Sequence, residues 1–188
     1  MTTVDRGAEC YARFLAGDND AFEGIVREYK NPLMLFLNGI VGTIHTAEDL
    51  TEDTFVRIVV RRPAYQAGKA SFKTWLFTIG RNLARSYLRK HRNQAPLPED
   101  EALEQADVRS IEEEYLRKEE YIRLHEAMDS LPPDYRQVLY LSYFEELNTK
   151  EISGIMKKRT GQVTNLLYRA KASLKRILVE RGIFREGL

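Results

Sequence analysis

Between Lys69 and Arg92 the chain carries Lys69, Lys73, Arg81, Arg85, Arg89, Lys90 and Arg92, with no acidic residue among them. Phe72, Trp75, Phe77 and Tyr87 are threaded through the same stretch. Cations interleaved with aromatic rings suit a polyanion whose bases can stack, which is nucleic acid, and an opened strand in particular. A second basic tract runs from Leu147 to Arg185, with ten basic residues against two acidic ones. Opposite in sign is a cluster of Glu48, Asp49, Glu52 and Asp53 beside Leu50 and Phe55. Two readings of it stand level: charge that complements a helix dipole, or a docking face for a basic partner. No nucleophile–base pair, phosphate-cradling glycine loop or paired-carboxylate cleft stands out, so no catalytic residue is expected.

Helices must position these groups, because nearly every periodic segment repeats at three and four residues and no period-two strand is evident. The spacing predicts helices over Arg6–Ala16 and from Ala21 to about Val41, the latter kinked or split near Asn31 by Pro32. Thr46 with Asp49 resembles a capping box that starts a helix to about Arg61. Ser71 caps the basic helix, whose apolar stripe is Phe72, Trp75, Leu76, Ile79, Gly80, Leu83, Ala84, Tyr87 and Leu88. Arg81, Arg85 and Arg89 then share another side, and Phe77 lies off the stripe as an exposed aromatic able to meet a base. Trp75 reads as a core residue.

After Arg92 the periodicity lapses. Asn93 to Ile111 contains Pro96, Pro98 and a thin acidic sequence, which reads as a flexible linker. Its 19 residues reach on the order of 65 Å when extended, or about 19 base pairs of duplex. Two modules on such a tether can occupy separate stretches of one DNA. The expected division is 1–94, a linker at 95–111, and 112–188: an all-α protein of two helical domains joined by a flexible acidic linker.

The second module reads as helices from about Glu112 to Leu131, from Asp134 to about Glu145, from Asn148 through Met156, and from a Thr160 cap to about Arg181. The last two, joined by Lys157-Lys158-Arg159, have the form of a helix-turn-helix, with Ile152, Ile155, Met156, Val163, Leu166, Leu167, Ala170, Leu174 and Ile177 inside. Gln162, Thr164, Asn165, Tyr168 and Arg169 then point outward, where base edges are met in the major groove. Lys157, Lys158, Arg159, Lys171, Lys175 and Arg176 would reach phosphates, which position a helix without reading sequence. The plainer alternative is a helical hairpin with a solvated basic face.

A chain of 188 residues makes one large domain or two small ones, and no apolar run approaches the ~20 residues of a membrane span. Its start has neither the basic head nor the apolar middle of a signal peptide. One cysteine, Cys10, excludes an internal disulfide, and with only His45, His91 and His125 beside it no metal or other cofactor is expected. A cytoplasmic location follows from these readings.

The run Ala47 to Phe55, followed by Phe72-Lys73-Thr74-Trp75-Leu76-Phe77-Thr78-Ile79-Gly80-Arg81-Asn82-Leu83-Ala84, resembles region two of the extracytoplasmic-function (ECF) sigma factors. Leu131-Pro132-Pro133-Asp134-Tyr135-Arg136-Gln137-Val138-Leu139 with the helix-turn-helix resembles their region four. Sigma factors of this sigma-70 family carry bacterial RNA polymerase core to promoters and help melt them. The resemblance implies that Asp49, Leu50, Glu52, Asp53 and Phe55 dock on the polymerase core. It implies that the loop Arg62–Ser71 with Lys73, Phe77, Arg81, Asn82, Arg85 and Arg89 handles the minus-ten element of promoter DNA. Lys158, Arg159, Gln162, Thr164, Asn165, Tyr168, Arg169, Lys171 and Lys175 would meet the minus-thirty-five element. It also implies an anti-sigma factor partner, often membrane-bound, and no small-molecule substrate. Where the family commonly has glycine in the helix-turn-helix turn, this chain has Lys157, which tolerates positive φ at a cost of about 1 kcal/mol. Two other classes fit parts of the pattern: a stand-alone helix-turn-helix regulator that binds operators as a dimer, and an all-helical adaptor for acidic proteins.

Overall fold

Caps and turns divide the chain much as its polar residues dictate. The structure, a computed structural model, describes residues 5–91 and 123–183, and all regular structure among them is helical. The expected linker and the first half of the expected Glu112–Leu131 helix lie outside the described residues. Asp5 accepts the Ala8 amide at 3.1 Å and caps α1 (Arg6–Leu15), which ends before Gly17 at φ +105°. Asp18 accepts the Ala21 amide at 3.2 Å and caps α2 (Asn19–Val41).

Pro32 neither splits nor ends α2, which runs unbroken for 23 residues. A mid-helix proline costs about 3 kcal/mol. Around it Tyr29, Leu33, Phe36 and Leu37 are all buried, each worth roughly 1.5–3 kcal/mol, and that packing wins. Helix α3 (Ile44–Arg61) begins two residues before the expected capping box at Thr46. Thr43 takes the cap position, and its hydroxyl bonds the Thr46 hydroxyl at 2.8 Å instead of an amide. Helix α4 (Phe72–Lys90) starts where Ser71 accepts the Thr74 amide at 3.3 Å. It crosses α2 and α3 closely at Gly80, where an added Cβ would stand 2.9 Å from Leu33 Cδ1.

In the C-terminal half, the helical residues 123–129 (α5) lead through Pro132 into α6 (Pro133–Leu139). Where a plain α-helix to Glu145 is expected, the chain instead makes a five-residue π-helical turn, Tyr140–Phe144. Asn148 and Glu151 cap α7 (Thr149–Met156) reciprocally, at 3.1 Å and 3.0 Å. Lys157 then adopts the left-handed conformation at φ +52°. The expected Thr160 cap for α8 (Thr160–Glu180) is replaced by Arg159, whose amide donates to Gln162 Oε1 at 2.9 Å.

One hydrophobic core runs through both halves. Phe36 of α2 lies 5.3 Å from Phe77 of α4 and 6.2 Å from Tyr140 of the π-helical turn, centroid to centroid. In this arrangement the two modules pack on each other, α7 on α4 and α6 on α2. No helix among the described residues is long and apolar enough to cross a membrane.

Candidate nucleic-acid interface and partner-docking face

On α3 the i, i+3, i+4 pattern buries Ala47, Leu50, Thr51, Thr54, Phe55 and Ile58. Asp49, Glu52 and Asp53 are therefore turned to solvent, and none of the three has an ion-pair partner among the described residues. Leu50 and Phe55, expected on the same docking face, are 5% and 7% exposed and belong to the core. Below the carboxylates the face continues as Val56, Val59 and Val60, of which Val60 is 74% exposed. Three exposed β-branched residues on one helix face form a ready contact surface. Their signal lay in the sequence: they fall between the buried positions and so must face outward.

Helix α4 corrects two expectations. Its buried side includes Phe77 and Arg81 as well as Phe72, Leu76, Gly80 and Ala84. Phe77 is 0% exposed and cannot meet a base in this arrangement. Arg81 is 3% exposed, so the expected row of three outward arginines reduces to Arg85 and Arg89. The reason is that α4 is covered twice, by α2 and α3 on one side and by α7 on another. A single-stripe reading sees only the first cover. Trp75 is half-buried, in an aromatic cluster with Tyr11, Tyr65 and Phe72 at 5.2–5.4 Å.

The second cover is a polar seam. Arg81 Nε donates to Gln137 Oε1 at 2.9 Å and its Nη1 to the Ile155 carbonyl at 3.3 Å. Both acceptors are neutral. Burial holds the Arg81 guanidinium below the ordinary arginine range, and the neighbouring Arg85 charge pushes the same way. Lys73 Nζ reaches Glu145 at 2.9 Å, and the Glu145 side chain is only 6% exposed. Ser71 and Thr74 donate to Glu151 at 3.1 Å and 3.4 Å, and the Tyr140 hydroxyl donates to the Pro32 carbonyl at 3.1 Å. Lys73 and Arg81, both expected on DNA, thus hold the halves together instead. Asn82, Arg85 and Arg89 stay exposed.

Helix α8 turns Val163, Leu166 and Ala170 inward, which sets its opposite face. Gln162, Thr164, Asn165, Tyr168, Arg169, Lys171 and Lys175 are exposed, Tyr168 by 76%. Several of them have local partners. Gln162 spends its carbonyl on the helix start, Thr164 donates to the Thr160 carbonyl at 3.1 Å, and Lys171 sits 5.1 Å over the Tyr143 ring. Lys158 is paired with Asp134 at 3.0 Å, while Arg159 is exposed.

Residues 25–94 match the family model for Sigma-70 region 2, and residues 121–174 match that for Sigma-70, region 4. The chain is 35% identical to the ECF RNA polymerase sigma factor SigM of Bacillus subtilis over 161 residues, covering 85% of this chain and 95% of that one. The fold is similar to CnrH in complex with the cytosolic domain of CnrY, with a TM-score of 0.65, 20% identity, and 94% and 97% of the two chains covered. It is similar also to the sigma factor RpoE in complex with the anti-sigma factor NepR from Bartonella quintana. There the TM-score is 0.66 at 22% identity, with 84% and 96% of the two chains covered.

Proposed function

This chain belongs to the ECF sigma factors of the sigma-70 family, and we propose how its surfaces divide the work of carrying RNA polymerase core to promoters. Residues 1–94 bind core and handle the minus-ten element, 95–111 form the linker, and 112–188 read the minus-thirty-five element. The exposed face of α3, Asp49, Glu52 and Asp53 with the valines beyond them, docks on core. The protein works in the cytoplasm, where polymerase is, and an anti-sigma factor is its inhibitory partner. Support for that partner comes from CnrH and RpoE, which are held by CnrY and by the anti-sigma factor NepR.

The observation that carries the promoter-reading role is the split of α8 into a buried face of Val163, Leu166 and Ala170 and an exposed, basic, amide-bearing one. Near its start, Asn165 and Arg169 are placed to meet base edges; Lys175, two turns on, lies nearer the backbone. Losing a base-reading group costs about 1–3 kcal/mol on the preferred element and much less on altered ones. Asn165→Ala and Arg169→Ala are therefore expected to flatten the ranking of a panel of singly substituted promoters. Lys175→Ala is expected to lower affinity evenly across it. A panel ranking unchanged in the first two variants would remove α8 as the reader.

The valine extension of the docking face makes a separate expectation. Val60→Asp leaves the fold intact, since the side chain is in water. It replaces an apolar contact worth about 1.5 kcal/mol, so affinity for core falls at least about tenfold. Titration of labelled core with the variant checks this; an unchanged Kd would confine docking to the carboxylates.

A further inference from the structure

The closed arrangement brings Lys157 of the C-terminal half to a cleft otherwise lined by α3 and α4. It encloses about 540 Å³ between α3, α4 and the left-handed turn after α7, and Arg57, Asn82, Arg85, Ser86, Arg89 and Lys157 line its polar wall. Four of these six are cations and none is a carboxylate. Among the described residues, Arg57, Arg85, Arg89 and Lys157 have no ion-pair partner. Elsewhere the same chain pairs its cations readily, as at Lys73–Glu145 and Lys158–Asp134. Clustering four unmatched positive charges opposes folding unless an anion is drawn in. Asn82 and Ser86, whose hydroxyl accepts from Arg89 Nη2 at 3.4 Å, add neutral donors to the same wall, the mixture that recognises phosphoryl oxygens.

We propose that this cleft is a binding site for a small oligophosphate anion, which bridges Arg57, Arg85 and Arg89 of the N-terminal half to Lys157 of the helix-turn-helix turn. Four cations from three elements match several phosphoryl groups better than one. Because Lys157 joins the others only when α7 rests on α4, the ligand binds the closed form and adds to its stability as its concentration exceeds its Kd. Promoter DNA cannot reproduce the site while the two halves engage elements far apart on the duplex. The anion therefore opposes promoter engagement. The site shares Arg85 and Arg89 with the surface proposed for the minus-ten element, and Lys157 sets it apart from that surface.

Tripolyphosphate is a suitable probe, titrated calorimetrically into the full chain at moderate ionic strength. One saturable site is expected, together with a rise in melting temperature. Lys157→Asn removes the charge while keeping a side chain that accepts positive φ, and Arg57→Gln removes one from a half-buried position on α3. Each is expected to weaken binding about tenfold, as loss of one charge-assisted contact does. A 12-nucleotide single strand, the other source of phosphates, is expected to bind with no dependence on Lys157. The proposal is overturned if tripolyphosphate does not saturate, or if both variants bind it as the parent does. It is overturned equally if the oligonucleotide alone shows the Lys157 dependence.

Discussion

The Asp49→Lys, Glu52→Lys variant is expected to keep the parent's helical circular dichroism and melting temperature and to fail to co-purify with polymerase core. Both side chains are in water without ion-pair partners among the described residues, so their reversal disturbs no internal contact. At a docking surface the same change turns attraction into like-charge repulsion worth several kcal/mol, a loss of at least about 100-fold in affinity. Leu50→Ala and Phe55→Ala provide the contrast. Both residues are core, so their truncation removes about 2–5 kcal/mol of stability and acts on docking only through the fold. Retention of core by the double-lysine variant would dismiss α3 as the docking element.

Arg81→Ala is expected to open the seam between the halves, whereas Arg85→Ala is not. Arg81 is buried and serves Gln137 and the Ile155 carbonyl; its removal leaves two acceptors unmet at roughly 1–3 kcal/mol each. Amides of α4 and α7 facing the seam are then expected to exchange hydrogen at least about tenfold faster. Arg85 is exposed and sets a like charge beside Arg81 instead of bonding across the seam, so its removal is expected not to speed exchange. It instead lowers the log–log salt slope of single-strand binding by about 0.7, the share of one phosphate contact. Equal protection of α7 in the Arg81 variant and the parent would show that the seam is held by other bonds.

Local chemistry was legible in the sequence wherever it acts within a few residues. Ser71 before α4, Asn148 with Glu151 before α7, and the inward Val163, Leu166 and Ala170 of α8 all follow from caps and helical spacing. What was hidden depends on distant partners. Nothing near Arg81 announces Gln137, 56 residues on, or Ile155, 74 residues on. Phe77 was misplaced for the same reason, since one apolar stripe describes a helix with a single neighbour and α4 has several. The split expected at Pro32 does not occur, because packing on both sides of the proline outweighs its local penalty. Helix α8 thus shows its polar face as spaced, while Phe77 and Arg81 of the expected α4 face are turned inward.

The π-helical turn at Tyr140–Phe144 acts as a one-residue insertion in an otherwise ordinary helix. Each residue of an α-helix turns the chain by about 100°, so an extra one re-aims everything after it. At the start of the turn Tyr140 addresses the Pro32 carbonyl, and just after it Glu145 addresses Lys73. Deleting a single residue there would restore a regular helix and swing the Glu145 carboxylate about a quarter-turn away from Lys73. A one-residue deletion in this stretch is thus expected to break the Lys73–Glu145 contact with both charged partners left in place.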